Sequence, residues 1–258
     1  MRVSIVTSIF NAEKYLEESL SSIVNQTFQD FEIILIDDGS TDGSINILSG
    51  FFHKHNNSRL LINKTNQGIP TSRNRALLIA KGEYIAIHDG DDISLPDRLE
   101  KEVDYLEQNP DIDVVGSHAY KINYSGSLLG TMSYPPKQTE DFFRVIKRHR
   151  LNPIIDPSCL YRKKAIIDNG GYTMDDKFMT VLDMYLWCSL LNKGHHMANI
   201  QEPLIKYRIN PEGVTQTRTS AMFGATDDLI SSFIANTLQP NILSSVMFEQ
   251  EIFTEVLR

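Results

Sequence analysis

The sequence predicts an α/β protein with a mostly parallel central sheet flanked by helices, and three observations predict it. Short apolar runs alternate with segments of helical spacing from residue 3 to residue 106. One run, Phe31 to Ile36, is almost continuously apolar, the pattern of a strand covered on both faces. Another, Tyr84-Ile85-Ala86-Ile87, leads directly into His88-Asp89-Gly90-Asp91-Asp92. Three carboxylates therefore gather just past a strand's C-terminal end, where open α/β sheets bind ligands.

Each element follows in order. Val3 to Thr7 is the first strand, and Leu16, Leu20, Ile23 and Val24 mark one face of the next helix. Phe31 to Ile36 is the second strand. Ser40 and Thr41 are helix-capping types ahead of Ile45, Leu48 and Phe52 at helical spacing. Arg59 to Ile62 is a third strand, and Thr71 to Ala80 a helix closed by Lys81-Gly82. After the strand Tyr84 to Ile87, Pro96 suits a first helical turn, continued by Leu99, Val103 and Leu106. This βαβαβαβα order implies parallel strands joined by right-handed crossovers.

The rhythm changes after about residue 117. Ala119 to Asn123 and Leu128 to Tyr134 read as a hairpin around Tyr124-Ser125-Gly126-Ser127. A short helix is expected near 140–149, a strand over Pro157 to Tyr161, and a helix over Val181 to Asn192 with Leu182, Leu186, Leu190 and Trp187 inward. Two helices separated by Pro240 are expected beyond 220. The reading is one compact domain, 1–215, in two halves, 1–117 and 118–215. A helical C-terminal extension, 216–258, follows.

Composition narrows the class. The chain has 258 residues, 41% hydrophobic and 22% charged, with a formal net charge of −8. That charge argues against nonspecific nucleic-acid binding, which needs a positive field. No apolar run approaches the ~20 residues that span a bilayer. The N-terminus enters a strand without a signal-peptide cleavage pattern. Cys159 and Cys188 lack metal-type spacing and read as reduced core residues of a cytoplasmic protein.

Three carboxylates within four residues repel one another unless a cation offsets them. Hard oxygen ligands suit Mn²⁺ or Mg²⁺, ions that usually accompany substrate phosphates. The motif therefore points to a metal-assisted enzyme acting on a nucleotide diphosphate. A solvated acidic turn ahead of the next helix is the plainer alternative.

An ordered set of motifs runs from Val3-Ser4-Ile5-Val6-Thr7-Ser8-Ile9-Phe10-Asn11 through Asn25-Gln26-Thr27-Phe28 to Phe31-Glu32-Ile33-Ile34-Leu35-Ile36-Asp37-Asp38-Gly39-Ser40. Asn66-Gln67-Gly68 with Arg73-Asn74, Gly82-Glu83-Tyr84, and Asp89-Gly90-Asp91-Asp92 follow. Gly170-Gly171-Tyr172, Asp183 before Leu186-Trp187, and Glu202-Pro203-Leu204 with Tyr207-Arg208 complete it over residues 2–210. The set resembles the family 2 inverting glycosyltransferases, which have the nucleotide-diphospho-sugar transferase fold called GT-A. On that resemblance 1–117 is the nucleotide-binding half and 118–215 the acceptor-binding half of a catalytic domain.

The resemblance implies transfer of a sugar from a UDP-sugar to a hydroxyl of a glycan or lipid-linked acceptor in cell-surface polysaccharide synthesis. It implies that Asp38 accepts from the uracil N–H, with Asp37 the more local capping residue. It implies that Phe10 stacks on the base with Ser8 nearby, although Phe10 also reads as core. Arg73 would pair with phosphate or base, with Arg75 the alternative. Asp91 would bind Mn²⁺ or Mg²⁺, with Asp89 near the ribose or metal. Asp183 would be the general base for the acceptor hydroxyl.

Three departures from the family pattern stand out. Leu182 replaces the glutamate before the base. Asn210 stands where many relatives have a metal-helping His, and Asp156-Pro157 where they often have His-Pro. A basic cluster, Arg144, Lys147, Arg148, His149 and Arg150 with Arg162, Lys163 and Lys164, suggests peripheral contact with anionic headgroups at the inner membrane face, or a solvated surface. Between 216 and 258 only Arg218 and Arg258 are basic, so that segment suits packing on the domain or on a second subunit. Two alternatives remain. A nucleotidyltransferase would need a Gly-rich phosphate loop after the first strand, yet residues 7–14 hold no glycine and only Lys14. A non-catalytic sugar-nucleotide binder gains from Leu182 and Asn210 but not from the retained Asp89, Asp91 and Asp183.

Overall fold

The computed structural model describes residues 1–211, 219–238 and 254–257. Four parallel strands form the first half of one ten-stranded sheet: β1 (Val3–Ile9), β2 (Phe31–Asp37), β3 (Ser58–Asn63) and β4 (Tyr84–Ile87). They lie in the order β3-β2-β1-β4, with Ile9 beside Asp37 and Val6 beside Ile87. The chain thus leaves β1 toward β2 and returns on its other side with β4. That reversal opens a crevice at the strands' C-terminal ends, and Phe10, Asp38 and Asp89 all leave the sheet there.

Alternation along the strands explains the layers. From β1, Val3, Ile5 and Ile9 face one core with Leu16 and Leu20 of α1 (Glu13–Val24), Leu48 and Phe52 of α2 (Ser44–Lys54) and Leu99, Val103 and Leu106 of α4 (Arg98–Gln108). Val6 faces the other core, with Ala76 and Leu77 of α3 (Ile69–Ile79). β2 is buried at all seven positions, Glu32 and Asp37 included, in keeping with its almost continuous apolar run.

The sheet continues through β8 (Leu160–Arg162), β6 (Ile112–Ile122), β9 (His196–Arg208) and the two-residue β5 (Ile93–Ser94). β8 is antiparallel to β4 and β6, whereas β9 runs parallel to β6. β7 (Leu128–Met132) forms the expected hairpin with β6, and Asn123 Oδ1 ties its turn by accepting from the Ser125 and Ser127 amides. The expected helix near 140–149 is α5 (Thr139–Arg144) running into a π-helical turn, Val145–His149. The strand expected over Pro157 to Tyr161 begins as a 3₁₀ turn, Asp156–Ser158, and only its end enters β8. A short α6 (Lys163–Asp168) and a 3₁₀ turn (Asp176–Val181) precede α7 (Leu182–Asn192). In α7, Leu182, Leu186, Trp187 and Leu190 are all buried, as expected.

Beyond 215, α8 (Thr219–Ile234) packs Ala225, Leu229, Ile230 and Phe233 into the same core as α7. This helix therefore covers the domain itself. The second expected helix falls largely outside the described residues, and Thr254–Leu257 is a strand, β10, antiparallel to β3. Ser40 and Thr41 do not cap α2. That helix starts at Ser44, whose amide is held by Asp42, because Ser40 is drawn into the turn after β2 by Asp37 and by the Asn11 amide. Cys159 and Cys188 are buried free thiols.

Candidate active site

One side of the crevice is built from consecutive strand ends. Asp38 is buried just past β2, and the protein itself supplies three donors. Its Oδ1 accepts from the Gln67 amide (2.9 Å) and Asn63 Nδ2 (2.6 Å), and its Oδ2 from the Gly68 amide (2.8 Å). A carboxylate has about four acceptor sites, so roughly one is left for a base N–H. Gly39, at φ +76°, lets the chain turn there: a Cβ would lie 2.6 Å from the Thr65 backbone. Asp37 accepts from the Ser40 amide (3.3 Å), the local role expected of it.

Phe10 is 48% exposed. The core reading of Phe10 is thereby corrected: β1 ends at Ile9, and the next side chain leaves the packed layer. Ser8 Oγ is buried without a hydrogen-bond partner among the described residues. Arg75 is turned away from the acidic loop, donating to Asn63 Oδ1 (2.6 Å).

Arg73 is buried and bridges two carboxylates. It donates to Asp156 Oδ2 (2.6 Å) and to Asp89 Oδ1 (3.1 Å), with its guanidinium 5.3 Å from the Tyr172 ring. Burial works against its charge, but Asp156, Tyr172 and Asp89 outweigh that and hold it more firmly protonated. It is a counter-ion of the site's own carboxylates, and phosphate pairing would require it to share or leave them.

The acidic loop is clamped from behind. Arg208, at the end of β9, donates its amide to Asp92 Oδ1 (2.8 Å), its Nε to the Asp91 carbonyl (2.8 Å) and its fork to Glu18 (2.7 Å), over the Tyr15 ring. Asp92 is thus an internal brace, its other oxygen buried without a donor among the described residues. Asp89 and Asp91 are half-buried. Burial pushes the Asp89 carboxyl up to about 6, with Arg73 pulling it down and Asp156 and Asp91 pushing it further. Burial also raises Asp91, against which Asn210 Nδ2 lies at 3.3 Å. Asn210, noted above as a departure from the family pattern, therefore sits beside Asp91.

Among the described residues, no three His, Cys, Asp or Glu side chains converge as a preformed metal cage. The donor chemistry nonetheless fits a hard divalent ion. Two carboxylates lie on one loop, and burial raises both even with Arg73 beside Asp89 and Arg208 near Asp91. Mg²⁺-type sites commonly use one or two carboxylates plus substrate phosphates.

The other side draws on separated segments. Asp183 opens α7, and its Oδ1 accepts from the Met184 amide (2.8 Å). Its Oδ2 accepts from Asn152 Nδ2. Burial, then the nearby Asp156 charge, pushes the Asp183 carboxyl up to about 7. Tyr134 is exposed, and the nearby Asp183 charge also works to raise its phenol. Asn152, Tyr134 and the Arg208 clamp escaped the sequence reading. The paired Asn152-Pro153 and Asp156-Pro157 turns were the available signal for the first.

The basic cluster is only partly a surface. Arg162 donates to the Ile112 and Leu106 carbonyls, and Lys163 to the Ala80 carbonyl. Arg144 pairs with Asp141 and Arg150 with Asp227. Lys147, Arg148 and His149 are exposed. Among the described residues, no helix is long and apolar enough to cross a membrane.

A sequence profile for "Glycosyl transferase family 2" matches residues 4–170. A glycosyltransferase of Methanocaldococcus jannaschii is 36% identical over 211 residues, covering 80% of this chain and 70% of that protein. The O-antigen biosynthesis glycosyltransferase WbnJ of Escherichia coli is 29% identical over 94% of this chain and 92% of its own length. Among solved structures, S. aureus TarS 1-349 with UDP matches at a TM-score of 0.69 and 22% identity, covering 92% of this chain and 66% of that one. The mannosyltransferase PcManGT from Pyrobaculum calidifontis, with GDP-Man and Mn²⁺, matches at 0.64 and 16% identity, covering 91% of this chain and 73% of that one. These structural matches carry the GT-A fold.

Proposed function

We propose, from the premise that this chain belongs to glycosyl transferase family 2 and is a glycosyltransferase, that it moves a sugar with inversion from a UDP-sugar to an acceptor hydroxyl. One observation carries the reading. Phe10, Asp38 and Asp89 leave adjacent strand ends, while the Arg73–Asp156 pair links Asp89 toward the Asp183 side. A flat aromatic, a carboxylate acceptor and an acidic loop suit a nucleoside diphosphate, and a raised carboxyl at a helix start suits a base.

In this reading Phe10 stacks on the uracil, Ser8 supplies a hydrogen bond nearby, and Asp38 accepts from the ring N–H with its remaining lone pair. Arg73 steadies Asp89 at the donor. Asp91 and Asp89 would hold Mn²⁺ or Mg²⁺, which would offset charge on the departing diphosphate. Asp183 takes the acceptor's proton as that oxygen attacks the anomeric carbon. The bond to the diphosphate breaks on the opposite face, which inverts the centre. A base works best with its proton affinity near the working pH, and burial has moved Asp183 there.

The acceptor is a glycan or a lipid-linked glycan in polysaccharide synthesis, a reading supported by the O-antigen relative. Peripheral membrane contact is assigned to the exposed Lys147, Arg148 and His149. The domain division falls at the end of β9, with α8 as a cover rather than a separate body. Nucleotide release measured across UDP-, GDP- and ADP-sugars with Mn²⁺ tests the donor. Release from UDP-sugars alone is expected, and equal use of GDP-mannose would overturn the uracil assignment.

A further inference from the structure

Asp156 opens the turn that leads into β8, and its surroundings give it a job. Its Oδ2 receives the shorter arm of Arg73 (2.6 Å), while the other arm reaches Asp89 (3.1 Å). Its Oδ1 is buried and has no donor among the described residues. A carboxylate oxygen without a donor projects an unscreened negative field. Because that oxygen is closed off from solvent, it does not reach the acceptor directly.

The segment carrying Asp156 also holds Asp183. Asn152, four residues earlier, donates to Asp183 Oδ2. The span between them is fixed: the Ile154 amide returns to Asn152 Oδ1 (3.4 Å), and the Pro153 carbonyl accepts from Asn199 (3.0 Å). A five-residue stretch thus grips Asp183 at one end and, through Arg73, the donor loop at the other.

We propose that Asp156 is a positioning residue for the transfer: it holds Arg73 in its bridge to Asp89 and sets the field in which Asp183 works. This rests on the reading of Asp183 as base. The charged and titratable groups facing Asp183 are Asp156 and Arg73, with Tyr134 and Cys188, both raised partly by Asp183 itself. Of the two charged ones, only Asp156 pushes the Asp183 proton affinity up. A second anion nearby disfavours ionisation. A neutral residue at 156 leaves Arg73 alone beside Asp183 and lowers that affinity.

The test follows Asp183 directly. The ¹³C carboxyl signal of Asp183, assigned by its loss in Asp183→Asn, is titrated in the full chain and in Asp156→Asn. The midpoint is expected to fall by about one pH unit or more in Asp156→Asn. The acid limb of kcat should move down with it, while Asp156→Glu keeps the parental midpoint. An unmoved midpoint with kcat lowered equally at all pH would overturn the proposal, since a merely structural residue acts that way. Should Asp156→Asn fail to melt cooperatively, Asp156→Ser removes the same charge and is titrated instead. Loss of the base reading shows separately, as near-parental transfer by Asp183→Asn, while the carboxyl titration still decides the role of Asp156.

Discussion

The two halves of the cleft hold their key carboxylates in opposite ways. On the donor side, Asp38 is met by two backbone amides and a side-chain amide, all from the protein. On the acceptor side, Asp183 has its own helix amide and Asn152, and a neighbouring carboxylate that pushes it toward the neutral form. A carboxylate whose oxygens are taken up by the protein's own donors is held in place by the fold. One pushed up to about 7 by burial and a neighbouring carboxylate exchanges a proton near neutral pH. The difference teaches that similar side chains are set apart by their surroundings, packed donors on one side and burial beside a like charge on the other.

The largest effect tests the acidic loop, which lies between the halves. Chelating divalent ions should abolish turnover, and Asp91→Ala should weaken UDP binding in Mn²⁺, both read by calorimetry and nucleotide release. Full activity in chelator would remove Asp91 from its metal role.

Next comes the acceptor half. Asp183→Asn keeps shape and loses proton acceptance, so transfer should fall by about 10²–10⁴-fold with little change in UDP affinity. The parent's transfer should rise with pH through about 7, because the base must be ionised. The stability sign is the reverse. A carboxyl raised above its unfolded value contributes stability at low pH that is lost as pH rises through about 7. Asp183→Asn should therefore melt no lower than the parent at pH 8, while a large drop in melting temperature would make Asp183 structural.

The same contrast explains what could be read from the sequence. The donor half is legible because one strand end follows another: the apolar runs of β1, β2 and β4 locate Phe10, Asp38 and Asp89 without any knowledge of tertiary packing. Three of four inward positions in α1, Leu16, Leu20 and Ile23, are buried as their spacing requires. The acceptor half is less legible. β9 carries no clean alternation, because it pairs parallel to β6 through irregular register and lies partly exposed. Asn152 meets Asp183 across 31 residues, and Arg73 meets Asp156 across 83. No local period records such contacts. Motif order singled out Asp183, Arg73 and Asp156 separately, but not their meeting.

A smaller effect is expected at Asp38. Asp38→Ala should raise the donor KM, with a lost charge-assisted hydrogen bond costing about 1.5–3 kcal/mol. It should also lower stability, because the buried donors that Asp38 satisfies lose their acceptor. Unchanged melting with a raised KM would mean that its internal bonds matter less than the nucleotide contact. That outcome would blur the distinction between the two carboxylates.

The finest comparison uses two asparagines, one supporting each carboxylate. Asn63 is buried, donates to Asp38 and Ser72, and accepts from Arg75. Asn152 is half-buried, donates to Asp183 and accepts weakly from the Ile154 amide. Asn63→Ala removes one of the three donors to the buried Asp38 and the acceptor of one Arg75 arm, so it should destabilise by about 1–3 kcal/mol and leave the pH profile of transfer where it was. Asn152→Ala removes a hydrogen bond that favours the charged form of Asp183. The acid limb of transfer should then move to higher pH, while water reaching the half-buried site keeps the stability change within about 1 kcal/mol. Chemical denaturation and a pH–rate series on the two variants measure both quantities. A pH limb that moved in Asn63→Ala, or stayed fixed in Asn152→Ala, would show that the two carboxylates are not divided between architecture and proton transfer.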